Sequence, residues 1–468
     1  MIEQSKHFAY SGENIGQVSS GPRRFPQGFK WGSATADYQV RKHPIERDSD
    51  EGRTNFDAFI ERKKVILPGE HGLDHWASGN AERDFQAMKD LGLNAQRLGF
   101  EWARIEPEQG KIDQKAIGRY RQMIDFLKKN DMEPMVTVNH FILPKWVGDQ
   151  GGWENKKIRE WIKRYAEVIA DNFPDVPYWV TINEPNVLTG AGWIEAYWPP
   201  EKKGLSGILT AFCSVAPNMV AAHNLIGNEL TKQTGSGKIG IANAITWFKP
   251  EHENSKLDKI PGKLADMVYN YKFLNSTIHN SDFVGINFYT GYRLKFKAGL
   301  GAGVQKEYPK AIGDLPFGKT VRHNEEQVSD IGWPIVPESF LEALQHISSK
   351  YKKPVMITEN GVQDKEDKVR SFYILTHLIA LHEAIKRGVE IRRYDHWTTV
   401  DNLEWSEGFD LRLGLIARDP KTGETKIRES AKLYGEIATT NGIDAIKLEK
   451  YLTPEQRDLT KKFLQSLG

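Results

Sequence analysis

The sequence predicts an α/β fold, a single (β/α)8 TIM barrel with its active site at the C-terminal ends of the strands. Three observations carry that expectation. Short runs of β-branched and aromatic residues alternate with segments of helical apolar spacing, and strand-like runs occur eight times. No linker-like composition break and no internal repeat interrupts the 468 residues, and α/β barrels run long as single domains. Two glutamates, Glu184 and Glu359, each sit at the exit of a buried strand-like run, where such a barrel presents its chemistry.

Taken in order, the first strand is expected over 29–35, after Pro26-Gln27-Gly28, and it leads into Tyr38-Gln39 and a charged loop. Helical spacing of Phe85, Met88 and Leu91 predicts a helix over 80–91, closed by Gly92 as a cap. Strand 93–98 follows, then an amphipathic helix over 116–129 with Ile117, Tyr120, Ile124 and Leu127 on one face. Strand 135–138 ends at Asn139-His140, and helix 158–173 leads to strand 178–182 and Glu184. The alternation continues with helix 211–234, strand 238–242, a helical stretch over 260–274 and strand 283–287. The Gly- and Lys-rich stretch 293–329 has no clear periodicity, and long loops of that kind tend to be lids. Helix 337–350, strand 354–358 with Glu359, helix 370–387 and strand 389–396 complete the set. The chain thus divides into a polar lead (1–24), a barrel (25–442) and a helical extension (443–468). In the extension Thr453-Pro454-Glu455-Gln456 reads as a capping box with proline at the first helical position, on a helix expected to dock on the barrel's outside.

Composition excludes several function classes. Sixty-four basic and 62 acidic residues leave a net charge of +2, which gives no electrostatic case for nucleic acid or an anionic membrane. The single cysteine excludes an internal disulfide framework and a multi-cysteine metal site. His71 and His75 have i, i+4 spacing, but Gly72 argues against a helix there and no third ligand is near, so no metal or other cofactor is expected. Residues 1–24 lack an apolar signal-peptide core, and no apolar run approaches the length of a membrane span; a cytoplasmic protein is the expectation. Homo-oligomer formation stays open.

The chemistry follows from the two glutamates. A carboxylate just past an apolar strand is costly unless it is paired or used. Two such groups in one pocket drive each other's pKa values apart, one staying protonated as an acid and the other ionised as a nucleophile, which is what cleavage of a glycosidic bond needs. A cation such as Arg97 would keep its neighbour ionised. The plainer reading makes both glutamates helix caps or rim salt bridges.

With these motifs in view, the chain resembles glycoside hydrolase family 1, the β-glucosidase/β-galactosidase family of retaining glycosidases, over roughly 25–442. Thr181-Ile182-Asn183-Glu184-Pro185 is similar to its acid/base motif and Ile357-Thr358-Glu359-Asn360-Gly361 to its nucleophile motif. The resemblance implies Glu184 as general acid/base and Glu359 as nucleophile. Tyr289 is implied as hydrogen-bonded to the nucleophile, Arg97 as its neighbouring cation, and Asn183 as the amide that holds the sugar 2-hydroxyl. It further implies sugar binding by Gln39, His140 and Glu404, a floor and wall of Trp397 and Trp405, and a second carboxylate, Glu407, near the 6-hydroxyl. Glu404 and Glu407 would repel a phosphate, so the expected substrates are non-phosphorylated small oligosaccharides or aryl and alkyl β-glycosides, with glucoside, galactoside or fucoside as the terminal sugar. The expected reaction is double displacement through a covalent glycosyl-enzyme, with carboxyl groups about 5 Å apart.

The chain departs from the family pattern at Arg41, Phe141 and Leu413, where glutamate, tryptophan and an aromatic residue are usual. Three other readings compete. A catalytically silent glycan-binding or scaffold relative would typically have lost one of the glutamates, and both are present. A transglycosylase would use the same groups on an acceptor sugar. A nucleotide-binding oxidoreductase rests only on Gly299-Leu300-Gly301-Ala302-Gly303, which follows no strand run and opens no amphipathic helix.

Overall fold

The computed structural model describes residues 21–43, 52–235, 237–297, 318–321 and 327–468. Eight parallel strands close into a ring: β1 (Lys30–Ala34), β2 (Ala95–Gly99), β3 (Glu133–Asn139), β4 (Tyr178–Asn183), β5 (Lys238–Pro250), β6 (Phe283–Phe296), β7 (Val355–Asn360) and β8 (Ile391–Trp397). Each pairs in parallel with its sequence neighbours, and Trp397 opposite Ala34 joins the last strand to the first. The expected barrel is the observed one.

Helices alternate with the strands on the outside: α1 (Asn80–Asp90), α2 (Gln114–Lys129), α3 (Ile158–Asn172), α4 (204–234), α5 (259–277), α6 (Pro337–Tyr351), α7 (Arg370–Lys386) and α8 (Glu429–Thr440). Their inward faces meet the outward faces of the strands, so Ile124, Leu127, Ile162, Ile169, Leu344 and Leu378 are fully buried in one continuous core. A smaller cluster takes one residue from each of five strands: Met135, Val180, Ala242, Phe283 and Met356. We take it as the apolar plug of the barrel's lumen.

Several expectations need correction. Helix α4 begins seven residues before the expected start, since Gly204–Thr210, a π-turn at Ala211–Val215 and Ala216–Thr234 run end to end. Its Gly204–Lys232 portion is also long and apolar enough to cross a membrane by length and composition, contrary to the reading that no such run exists. In the fold it packs on α3 and β4 as a barrel helix. Helix α5 likewise carries a π-turn, Asp266–Asn270, between Lys259–Ala265 and Lys272–Thr277. The stretch 293–329 is not aperiodic throughout: Arg293–Phe296 continues β6 and pairs antiparallel with Gly318–Val321. That hairpin extends from the carboxyl end of β6; the rest of the expected lid, and the Gly299–Gly303 cluster, lie outside the described residues. The proposed limits at 24 and 443 cut through a two-stranded sheet, in which Arg23 faces Ile443 and Arg24 faces Gly442. The expected capping box is present on Pro454–Ser466, and Phe463 of that helix is buried against the barrel.

Candidate active site

Glu184 leaves β4 with φ 41° and ψ 57°, a left-handed backbone that a non-glycine residue adopts at a cost. It stands at the N-cap position of the short helix Pro185–Thr189 yet makes no side-chain cap bond. Its Oε1 instead accepts from Asn287 Nδ2 at 2.8 Å. The helix-cap reading of Glu184 therefore fails on geometry. Glu359 lies inside β7 rather than after it, and its Oε1 accepts from Arg97 Nη1 at 2.6 Å while its Oε2 accepts from the Tyr289 hydroxyl at 2.6 Å. Both carboxyl groups are buried, at 8% and 3% exposure.

The backbone places them by irregularity. The β4–β5 register shifts between Val180 and Asn183, and the β6–β7 register shifts just before Asn287 and Glu359. A bulge of this kind turns a side chain that would alternate outward back toward the lumen. Behind Glu359, Gly361 is obligatory, because a Cβ there would lie 2.0 Å from the Trp397 carbonyl oxygen.

The groups joining the two glutamates form one network. Arg97, from β2, reaches Glu359 with one nitrogen and Asn183 Oδ1 with another at 2.7 Å, while its Nε donates to Thr137. Asn183 Oδ1 also accepts from Asn287 at 3.1 Å, and its Nδ2 lies 3.0 Å from His140 Nε2. Asn287 is a site residue that was not singled out from the sequence, although the expected strand 283–287 ends in it. Thr358 fixes its amide by donating to Oδ1 at 2.6 Å, and the amide nitrogen donates to Glu184 and to Asn183. A polar residue inside an otherwise apolar strand was the available signal.

Electrostatics separate the pair. Burial, and then the charge of Glu359, push Glu184 up to about 8. Burial also raises Glu359, but Arg97, Tyr289 and Asn287 all oppose that rise. The first proton to leave the pair therefore comes from Glu359. Burial and the same carboxylate drive the Tyr289 hydroxyl well above its ordinary range, so it stays a donor. Burial and the Arg97 charge lower His140, which is held neutral.

The remaining expected residues gather on one side. Gln39 Nε2 donates to Glu404 Oε2 at 3.1 Å and to the Leu403 carbonyl at 2.8 Å, leaving its buried Oε1 without a partner among the described residues. His140 stacks on Trp397 and Trp405 with ring centroids 5.7 Å and 6.0 Å apart. Trp405 in turn lies parallel to Tyr38 at 5.9 Å. An orphaned amide oxygen and flat indoles suit a polyhydroxylated ring, polar at its edge and apolar on its face. Glu407 is exposed and, of the expected residues, stands apart from the bonded network. Glu404 requires a correction: burial, and then the Glu359 charge, raise it to about 8, so near neutrality it carries less negative charge against a phosphate than its place in the sequence suggests.

The departures take definite places. Arg41 is bound to Glu101, its Nη1 on Oε1 at 2.7 Å, with both side chains buried. Phe141, at φ 71°, packs its ring 5.0 Å from Trp405 and from Trp198. Leu413 fills a small cluster with Ala34, Ala36 and Trp397. His75, far from forming a metal pair with His71, binds Asp84 at 2.7 Å, and among the described residues no group of three or more His, Cys, Asp and Glu could hold a metal.

Comparison with known proteins gives a consistent picture. The family model described as "Glycosyl hydrolase family 1" matches residues 22–279 and 270–443. β-Glucosidase A of Thermotoga maritima is 29% identical over 468 residues, covering 90% of this chain and 99% of that protein. The solved β-glycosidase from Pyrococcus horikoshii is 30% identical with a TM-score of 0.80, covering 93% of this chain and 100% of that one. The β-glucosidase from T. maritima in complex with glucoimidazole is 27% identical with a TM-score of 0.79, covering 90% and 100%.

Proposed function

Since the chain belongs to glycosyl hydrolase family 1, we propose that it removes terminal, non-phosphorylated β-D-glycosyl units with retention of configuration at the anomeric carbon. Glu359 is the nucleophile and Glu184 the acid/base. One observation carries this reading: Asn183 Oδ1 accepts both from Arg97, which holds Glu359, and from Asn287, which holds Glu184, so one buried network joins the two carboxyl groups while their surroundings pull their protons apart. A retaining mechanism expects the two carboxyl groups of such a pair about 5 Å apart.

In the first step a Glu359 carboxylate oxygen bonds to the anomeric carbon as the glycosidic C–O bond breaks. Glu184 passes its proton to the departing oxygen, and the alcohol leaves. In the second step the Glu184 carboxylate takes a proton from water, whose oxygen bonds to the anomeric carbon and releases Glu359. Asn183 binds the sugar 2-hydroxyl, Gln39 and Glu404 the outer hydroxyls, and Trp397 and Trp405 the ring face. A sugar in place of water in the second step gives transglycosylation by the same groups; no feature of the described residues favours it.

The test is hydrolysis of chromogenic β-gluco-, β-galacto-, β-fuco-, β-manno- and 6-phospho-β-glucosides beside Glu359→Gln. Turnover of a non-phosphorylated sugar, lost in the variant, is expected. A folded protein that turns over none of them, or that prefers the 6-phosphate, refutes the assignment.

A further inference from the structure

The near-balanced total charge conceals a local imbalance on one face. On α4, Leu205, Ile208, Leu209 and Phe212 recur at i, i+3, i+4 and i+7, which puts them in one stripe. That stripe is not core: Leu205 is 73% and Leu209 54% exposed. On α5, Ile260, Leu264, Met267 and Val268 form a second stripe, with Met267 60% exposed. The two meet where the Lys272 ammonium lies 5.5 Å from the Phe212 ring. Of the exposed large apolar side chains among the described residues, seven lie between 205 and 209 or between 257 and 268. Contiguous exposed apolar surface on a folded protein marks an interaction site.

The charges around the stripes have one dominant sign. Lys203, Lys256, Lys259 and Lys263 are all exposed, and none joins an ion pair among the described residues. The acids of the same segments are mostly engaged: Asp258 with His252, Asp266 with Asn270, and Glu201 with Arg62 and Lys63. Glu253 is the exposed exception. A second copy of the chain meeting this face about a two-fold axis would set lysine against lysine. A surface that is apolar at depth and anionic at its edge complements it on both counts.

We propose that the paired stripes of α4 and α5 dock the protein on an anionic lipid bilayer surface, with the leucines and Met267 in the interface and the lysines among the headgroups. The docked face adjoins the pocket. Gly207 of α4 packs so closely on the Trp193 carbonyl that a Cβ would lie 2.2 Å from it, and Trp193 is in the segment that continues from Glu184. In the α5 π-turn, burial and then the Glu184 charge drive the Tyr269 hydroxyl well above its ordinary range, while its neighbours Met267 and Val268 face outward. Docking on this face sets the pocket mouth near the bilayer, where β-glycosides with alkyl or lipid aglycones reside.

The experiment is sedimentation of the full chain with phosphatidylcholine vesicles and with vesicles that also contain phosphatidylglycerol. Binding to the anionic vesicles, weakened by salt, is expected. Lys259→Ala with Lys263→Ala should weaken it about 25-fold, from about fivefold per lysine near an anionic surface. Leu205→Ser, Leu209→Ser and Met267→Ser together should abolish it. All these variants should keep full turnover of a soluble chromogenic glycoside, which also certifies folding. Absence of vesicle binding, or binding that both variant sets leave unchanged, overturns the proposal. So does a dimer that the serine variants dissociate, since that would give the face to a second copy. Loss of glycosidase activity in the parent would refute the proposed function without touching the docking result.

Discussion

Replacing Tyr289 with Phe removes a single donor from Glu359 and keeps the ring. The lost bond is a 2.6 Å hydrogen bond from a neutral hydroxyl to a buried carboxylate. Bonds to charged groups are worth roughly 1.5–3 kcal/mol net, and a pKa unit corresponds to about 1.4 kcal/mol, so the ionised form of Glu359 loses about 1–2 units of support. The lost donor favoured the charged form, so the pKa rises. Activity needs Glu359 ionised, and the acid limb of the kcat/KM profile should move up by that amount. In the proposed mechanism the basic limb belongs to the protonated Glu184, pushed to about 8 by burial and then the Glu359 charge, and its hydrogen-bond donor is Asn287 rather than Tyr289. It should stay in place. The assay is kcat/KM for a chromogenic glycoside across the pH range, fitted to two macroscopic pKa values of the pair. An unmoved acid limb, or a basic limb that shifts as far, would refute the division of roles between the two glutamates.

The other predictions concern neighbouring groups. Asn287→Ala removes the amide that donates to Glu184, so the basic limb should move up by about one unit while the acid limb, held by Arg97 and Tyr289, moves less, in contrast to Tyr289→Phe; an unmoved basic limb would show that the amide does not support the Glu184 carboxylate. Glu184→Ala should cost about 10²–10⁴ in kcat/KM for glycosides with poor leaving groups and far less for a dinitrophenyl aglycone, which needs no proton; equal losses on both would exclude Glu184 as the acid. Glu184 has its folded pKa raised to about 8 above its ordinary 4.5, so the stability linked to it is present below that ordinary value and is lost as pH rises through about 8. Calorimetry should therefore find Glu184→Gln more stable than the parent by a larger Tm difference at pH of about 8.5 than at about 5, and the reverse order would contradict the sign. Arg41→Glu removes the cation that opposes the rise of Glu101, already at about 8, and sets two carboxyl groups together in a buried site; it should cost about 3–5 kcal/mol, near 3–5 °C in Tm for a chain of this size; a neutral effect would mean that the pair does not tie residue 41 to the end of β2.

The elements that were legible in the sequence are those whose signal is local. The strand runs that end at Asn139, Asn183 and Trp397, and the amphipathic helix α2, carry their periodicity in their own residues and were placed to within a few positions. The ends of β5 and β6 were not, because Pro250 and Phe296 continue as strands only by pairing with each other's chain and with Gly318–Val321. Local spacing holds no trace of that partner. The membrane-length segment of α4 was missed for a related reason: Gly204 and Gly207 read as loop, yet Gly207 is required by the close approach to Trp193.

At the site the limit is different. Glu184 and Glu359 could be picked out because a carboxylate at the end of an apolar run is conspicuous, but the inward turn of each depends on a register shift that alternation alone would miscount. The same holds for Arg41. As a sequence feature it is a reversed charge two residues from Gln39, which puts the pocket's chemistry in question. In the fold its partner is Glu101, sixty positions away and just past the end of β2, a carboxyl that burial raises to about 8 against the opposing pull of Arg41. The guanidinium also lies 5.5 Å from the Tyr38 ring, which is parallel to Trp405, so the reversal is taken up by buried partners in the wall that supports these rings. Substrate preference should follow Gln39, Glu404 and the tryptophans, and Arg41 should register in stability: a charge's effect is set by the carboxylate it reaches in space, and only the closed barrel brings that carboxylate to it.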